Sequence, residues 1–196
     1  MSAARRGRVI AVLSFVLAGG IGIISSTQTW LTVVRADAGE DILVAGADAM
    51  ALLAPLSLAA LALGAALALV GRILRYVFGA LGLFFGIVLL LGTGEVLFSL
   101  PPSAAESTIT EITGLAGSTA IDAVIGSIHA TAWPVLALIG WAILVVGSLF
   151  VLITAHRWKS GGRRYRSEQG PHVAHDGPVD AVDSWDDLSR GTDPTR

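Results

Sequence analysis

The sequence predicts an all-α membrane protein built as a four-helix transmembrane bundle, and three observations lead to this prediction. Four apolar runs of about 20 residues are each long enough to cross a hydrocarbon core of roughly 30 Å as a helix. Of the 196 residues, 54% are hydrophobic and only 14% are charged. The charges that remain alternate in sign between successive loops, as they do in multi-pass proteins.

The four predicted spans must be helical, because lipid offers the backbone no hydrogen bonds. Only the third contains an ionisable residue, Glu95. The spans are expected at about 9–29, 50–70, 76–98 and 133–154, which gives a membrane domain over 1–154. A cleaved signal peptide is the competing interpretation of the first run. Its apolar region exceeds the usual 7–15 residues, so we favour an uncleaved span.

The distribution of charge predicts the orientation of the chain. Twelve of the 13 Lys and Arg residues fall on one side of the predicted spans, and Arg35 is the exception. The loop at 99–132 carries three acidic residues and no basic ones. The positive-inside rule therefore places both termini in the cytoplasm and the protein in the plasma (inner) membrane, with the lipid bilayer as its first partner.

Both loops on the outer side contain predicted local structure. In the first loop, two β-prone runs at 31–34 and 42–46 flank a polar turn, which predicts a small extracytoplasmic hairpin. In the second loop, Ser103 and Glu106 have the spacing of a capping box, which predicts a short helix. An apolar stretch at 119–128 is expected to lie at the membrane interface.

The segment 155–196 is rich in Gly, Ser, Asp and Arg, and we expect a disordered cytoplasmic tail. Near its end, Ala181, Trp185 and Leu188 fall on one face of a short helix expected near 181–190. These three residues form a candidate docking motif for a cytoplasmic protein partner. A tail with no fixed partner is the alternative.

Polar and aromatic residues collect where three of the predicted spans meet the outer surface. Glu95 is an acid within a span, and such residues are functional hypotheses by default. Gln28, Thr29 and Trp30 end the first span, and Trp133 begins the fourth. If these spans are adjacent, the five residues could line one outward-facing polar pocket. Helix–helix hydrogen bonding, with the tryptophans as interfacial anchors, is the alternative.

Several kinds of chemistry are not expected. The chain has no Cys, so it can form no disulfide and no thiolate site. His172 and His175 have HxxH spacing but no further ligand nearby, so no metal is expected. No P-loop, GxSxG, HExxH or dinucleotide motif occurs. We therefore expect no enzyme activity, no cofactor and no nucleic-acid partner.

Small residues form a face on each of the first three predicted spans. In the third span they are Gly79, Gly82 and Gly86. Such faces allow helices to approach closely. Packing within the bundle is the favoured interpretation, and a homo-oligomer contact is the minor alternative.

Three stretches of the chain carry a family resemblance. The first is AGGIGIISSTQTW at 18–30; the second is the small-residue span that follows 46–48, contains Pro55 and leads to 71–72; the third is SWDDLSRGTDPT at 184–195. In these features the chain resembles the actinobacterial tryptophan-associated transmembrane proteins, found beside tryptophan biosynthesis genes. The resemblance implies a four-span membrane protein linked to the tryptophan locus, and it implies no known reaction or catalytic residues.

Two functions are therefore expected. The first is a non-enzymatic accessory or scaffold protein, because the spans contain no paired charges and the tail carries a docking motif. The alternative is a transporter, or a transporter subunit, for tryptophan or a related aromatic metabolite. Four spans are few for a substrate path, and transporters often use paired charges or broken helices within the membrane.

Overall fold

The computed structural model describes residues 3–157 and is mostly helical. The predicted docking motif of Ala181, Trp185 and Leu188, and the tail from residue 158 onward, lie outside the described residues. In chain order the elements are α1 (Ala3–Ser26), β1 (Thr29–Arg35), β2 (Ile42–Ala45), α2 (Gly46–Ala49), α3 (Leu53–Leu67), α4 (Arg72–Ser99), α5 (Glu106–Thr113), α6 (Ser118–Val124), β3 (Ile125–Ala130) and α7 (Trp133–Thr154). Short 3₁₀ turns occupy Pro102–Ala104 and Ala155–Arg157.

Among residues 3–157, three helices are long and apolar enough to cross a membrane: α1 from Arg6 onward, α4 and α7. The second predicted span, 50–70, is helical only over the 15 residues of α3. At 1.5 Å per residue, a helix of that length rises only about 22 Å, which is less than a hydrocarbon core of roughly 30 Å. The backbone leaves the helix after Leu67 because the chain must turn within four residues to begin α4 at Arg72.

The long helices pack through small residues. Helix α1 lies against α3 and α7, and α7 also lies against α4. The order of contacting residues along α1 is the reverse of the order along α3. Phe15 of α1 lies beside Gly64 of α3, whereas Gly22, further along α1, lies beside Ser57. The two helices are therefore antiparallel, as a reversal of the chain between them requires.

Phe15 fills the space between the helices. Its side chain is fully buried, and it is surrounded by glycines from the three neighbouring helices. A Cβ at Gly64 of α3 would lie 2.8 Å from the Cβ of Phe15, and one at Gly82 of α4 would collide with the phenyl ring. Gly147 of α7 also faces this ring. The glycines thus allow one aromatic side chain to contact all three helices, which is the use that membrane proteins make of small residues.

A three-stranded antiparallel sheet covers one end of the bundle, with strand order β2-β1-β3. Val33 of the central strand pairs with Ile42 on one side and Ile128 on the other. Alternate residues of β1, Leu31 and Val33, are buried, as expected for a sheet with one face in a core. Strand β3 was not predicted from the sequence, which placed an interfacial stretch there.

The capping-box interpretation of Ser103 and Glu106 is wrong. The residue that caps α5 is Ala105, and no side chain caps this helix. The reason is that Pro102–Ala104 forms its own 3₁₀ turn, so Glu106 is the first residue of α5 rather than the third.

Candidate functional site at the sheet end of the bundle

The two ends of the bundle differ in character. The sheet end is the end where α1 leads into β1 and β3 leads into α7. The arginine end is the opposite end, where Arg8, Arg72 and Arg75 lie near the start of α1 and of α4. Every residue of the predicted polar cluster belongs to the sheet end.

A buried layer joins four helices just below the sheet. The indole Nε1 of Trp141 donates a hydrogen bond to the hydroxyl of Thr93 at 3.1 Å. A Cβ at Gly22 would collide with both Trp141 and Ser57. Helices α1, α3, α4 and α7 each contribute one of these four residues. The Trp141 side chain is fully buried, so the layer closes the bundle at this level.

Trp30 forms a second buried contact, between the sheet and α1. Its Nε1 donates a hydrogen bond to the hydroxyl of Ser25 at 2.9 Å, and its ring packs so closely on Gly46 that a Cβ there would lie 2.7 Å from Nε1. The side chain is fully buried. Trp30 is therefore a core residue of the sheet end rather than an interfacial anchor. A tryptophan buried with its N–H bonded gains apolar contact without leaving a polar group unsatisfied.

Thr131 is hydrogen-bonded to three of the five predicted cluster residues, Thr29, Trp30 and Trp133. Its hydroxyl donates to the carbonyl of Thr29 at 2.6 Å, and its N–H donates to the carbonyl of Trp30 at 2.9 Å. The same hydroxyl accepts a hydrogen bond from the N–H of Trp133 at 3.3 Å. Sequence reasoning missed Thr131. The available signal was a threonine two residues before the start of a helix, where its hydroxyl can bond the backbone.

The other two predicted residues, Gln28 and Glu95, are placed separately. Gln28 lies in the turn after α1, where its side-chain amide donates to the hydroxyl of Thr27 at 3.3 Å. The backbone carbonyl of Gln28 accepts a hydrogen bond from the N–H of Gly46 at 3.0 Å. Glu95 is exposed on α4. Within the part of the chain that the structure describes, no hydrogen bond joins Glu95 to Gln28. Their shared pocket stays a prediction.

Glu95 lies about one hydrocarbon thickness away from Arg75 along α4. Arg75 and Glu95 lie 20 residues apart on one uninterrupted helix. At 1.5 Å per residue their Cα atoms are about 30 Å apart, which is roughly the thickness of a hydrocarbon core. Both charges can therefore reach the polar boundaries of one bilayer at the same time. This explains how α4 can include a carboxylate without burying it in lipid.

The tip of the hairpin between β1 and β2 holds an ion pair. The Nε of Arg35 donates to a carboxylate oxygen of Asp37 at 2.9 Å, and the N–H of Gly39 donates to the same oxygen at 3.1 Å. These hydrogen bonds, with the one from Arg35 first, lower the pKa of Asp37 from its ordinary value of 3.8 to about 2. The other acids of the sheet end are exposed: Glu40, Asp41, Asp48, Glu95, Glu106, Glu111 and Asp122.

Among residues 3–157 no group of three or more His, Asp or Glu side chains could hold a metal ion. The arrangement at the sheet end is instead one of packed tryptophans and local hydrogen bonds. It joins the strands firmly to the helices.

A bundle with three helices long enough to cross a bilayer, closed by a buried tryptophan layer and covered by a small sheet, defines a multi-pass membrane protein. The chain belongs to the tryptophan-associated transmembrane protein family (Trp_oprn_chp), whose model matches residues 12–195. The family resemblance predicted from the sequence is thereby confirmed. Comparison with curated proteins and with solved structures gives no match.

Proposed function

We propose that the protein is a non-enzymatic accessory or scaffold protein of the plasma (inner) membrane, associated with tryptophan biosynthesis. The observation that supports this most directly is the filled centre of the bundle. Phe15 is enclosed by glycines of three helices, and Trp141 closes the next layer toward the sheet. Close packing of this kind suits a rigid platform that holds a partner, rather than a path for a solute.

The proposal includes four crossings, with both termini in the cytoplasm. The side chain of Met50 reaches α4 at Gly92, where a Cβ would lie 3.2 Å from the sulfur of Met50. At the other end, residue 70 lies directly before α4. The segment 50–70 therefore covers the same height as residues 72–92, which is about 30 Å of helix. The non-helical residues flanking α3 make up the length that the helix itself lacks.

A transporter, or a transporter subunit, for tryptophan or a related aromatic metabolite is the second candidate. The observation in its favour is the exposed carboxylate of Glu95 on α4, near the sheet end. A substrate path would have to form between copies of the chain, because the centre of one bundle is filled. This candidate therefore depends on an oligomer.

Recruitment through the tail is tested by pulldown from membranes after crosslinking. We compare the full chain with a chain that lacks residues 180–196, and with Trp185→Ala. Trp158→Ala is the matched control, since it removes a tryptophan of the same segment outside the docking motif. The scaffold proposal expects a partner that is lost with the truncation and with Trp185→Ala only. Identical partner sets for all four chains would contradict tail docking.

Transport is tested by the flux of labelled tryptophan, indole and anthranilate in a deletion strain complemented with each variant. The scaffold proposal expects the same flux with the wild-type chain and with Glu95→Gln. If the protein is a transporter, flux should fall with Glu95→Gln. It should persist with Glu111→Gln, a matched change at an exposed acid of α5. A fall specific to Glu95→Gln would replace the scaffold proposal with the transporter.

A further inference from the structure

Strand β3 forms an open edge of the sheet. The strand order is β2-β1-β3, so among residues 3–157 no further strand lies on the outer side of β3. Gly126, His129 and Ala130 of this strand are exposed. An edge strand presents a row of backbone N–H and C=O groups to which another chain can add a strand. Strand β3 is therefore a place where a partner can bind through its backbone.

The hydrogen bonds to β1 show which backbone groups of β3 point outward. The N–H of Thr131 donates to the carbonyl of Trp30 at 2.9 Å, and the register is regular from there back to Ser127. In an antiparallel pair, successive residues direct their backbone groups to opposite sides. Since Thr131 faces β1, Ile128 and Ala130 direct their N–H and C=O groups away from the sheet. Among the described residues, no backbone hydrogen bond outside the sheet involves either of them.

The edge lacks most of the usual protection against an added strand. Edge strands are commonly protected by charged side chains, by proline or by a bulge. Residues 123–133 contain no Asp, Glu, Lys, Arg or Pro. The irregularity in the pairing of β1 with β3 lies between Val34 and Arg35, beside the start of β3. The segment 127–130 is therefore regular and free to pair with an added strand.

The surroundings of this edge are acidic. Asp122 of α6 is exposed and lies three residues before the start of β3. The N–H of Ala36 donates to the carbonyl of Val124 at 2.9 Å. The hairpin tip, with the exposed Glu40 and Asp41, therefore follows a residue that is bonded next to the same end of the strand. The one arginine in residues 27–49 and 95–132 is already paired with a carboxylate. Complementary charge thus favours a partner that carries Lys or Arg.

We propose that the outer edge of β3 binds an extended, basic segment of another protein by strand addition. The backbone of the segment pairs with the outward N–H and C=O groups of Ile128 and Ala130. The side chains of Ser127 and His129, whose Oγ and Nε2 atoms lie 3.1 Å apart, offer polar contacts to the side chains of the segment. The partner must present this segment on the same side of the membrane as the sheet end. The surface is independent of the tail, on which the scaffold proposal depends.

The test uses the full chain in a neutral detergent and a displayed library of random linear peptides of about six residues, the usual length of a strand. Peptides selected on the wild-type chain are resynthesised, and their dissociation constants are measured by fluorescence anisotropy. Ala130→Pro removes an outward N–H at an edge position, where proline is tolerated. Ala130→Val is the matched control, because it keeps the N–H. Asp122→Asn tests the charge, and Glu111→Gln on α5, which packs on β2, is its control.

We expect the selected peptides to be rich in β-branched residues and to carry Lys or Arg. Ala130→Pro should weaken their binding by about tenfold, as loss of a backbone hydrogen bond implies, and Ala130→Val should leave it unchanged. Asp122→Asn should weaken binding by about two- to fivefold, in the range of exposed charge pairs, and Glu111→Gln should not. Peptides with methylated backbone nitrogens should fail to bind, which provides a second test that does not depend on the folding of Ala130→Pro.

Binding that survives backbone methylation of the peptide would overturn the proposal, because side chains alone would then be recognised. Selection of no peptide would also overturn it. Selection of acidic peptides, or equal effects of Asp122→Asn and Glu111→Gln, would contradict a basic partner. Amide hydrogen exchange at Ile128 and Ala130 that slows as the concentration of the chain alone rises would show that a second copy occupies the edge instead.

Discussion

The indole nitrogen of Trp141 lies 3.1 Å from the hydroxyl oxygen of Thr93 and donates a hydrogen bond to it inside the bundle. Both side chains are fully buried, and they belong to α7 and α4. A hydrogen bond between helices, in a layer that also contains Gly22 of α1 and Ser57 of α3, fixes the rotation of the helices about their axes as well as their distance.

Trp141→Phe should destabilise the protein because it removes the N–H donor and leaves a small void. Thr93→Val should have a comparable effect, since it leaves the N–H of Trp141 without its acceptor. We expect a coupling energy of about 0.6–1.7 kcal/mol between the two changes, in the range of interhelical hydrogen bonds. Reversible unfolding of both single variants and the double variant in mixed micelles measures it. Effects that add within about 0.3 kcal/mol would show that the bond contributes nothing.

Gly82→Ala should destabilise the bundle by roughly 1–3 kcal/mol through overpacking. The new Cβ would meet the ring of Phe15 and the hydroxyl of Ser148, and both are buried. Gly94→Ala on the same helix is the control, because a Cβ there meets nothing within 4 Å. Adding Phe15→Leu to Gly82→Ala should restore part of the stability. Unfolding free energies that are equal for the two alanine variants would contradict this packing.

Two buried serines should differ in how much stability is lost when each is replaced by alanine. Ser25→Ala removes the acceptor of the Trp30 N–H, and a buried donor left unsatisfied costs about 1–3 kcal/mol. The hydroxyl of Ser148 has no hydrogen-bond partner among the described residues, so Ser148→Ala should be neutral or slightly stabilising. Thermal unfolding compares the variants, and limited proteolysis of the loop at 36–41 reports loosening of the sheet end. Similar losses in both would contradict the assignment.

The hairpin tip should respond to acid through Asp37. Because folding lowers the pKa of this carboxyl from 3.8 to about 2, its contribution to stability is fully present above about pH 4 and is lost as the pH falls through 2. Arg35→Gln removes the main cause, so the pKa of Asp37 should return toward 3.8. Carbon-13 NMR of the aspartate carboxyls in micelles measures both values. An unchanged pKa in Arg35→Gln would show that the ion pair is not formed in solution.

Hydropathy was sufficient to predict the long helices but not their ends. An apolar run long enough to cross lipid can be recognised from the sequence alone. Helices α1, α4 and α7 could therefore be predicted without knowledge of their packing. Helix α3 is shorter than the predicted run because apolar residues such as Leu69 continue past the point where the chain must turn into α4. Composition alone contains no information about that turn.

The sheet end was harder to predict, because its contacts join distant parts of the chain. Trp30 at the end of an apolar run has the usual appearance of an interfacial anchor, yet its ring is buried against Gly46 and its N–H bonds to Ser25. Strand β3 follows the helical turn of α6 without a break, so its apolar residues gave no period that distinguishes a strand from a surface helix. The contact of Gly22 with Trp141 depends on the rotation of two helices, which a single sequence does not specify.

The sheet joins a hairpin that is synthesised early to a strand that is synthesised late. Strand β1 leaves the ribosome soon after the first long helix, but its second neighbour, β3, follows only after α4 has been made. At roughly 5–20 residues per second, one edge of the hairpin waits on the order of ten seconds for its partner. Pairing of Val33 with Ile128 also requires both strands to be on the same side of the bilayer. The sheet can therefore form only when the helices have inserted in the correct directions, since a chain with one inverted helix could not pair these strands.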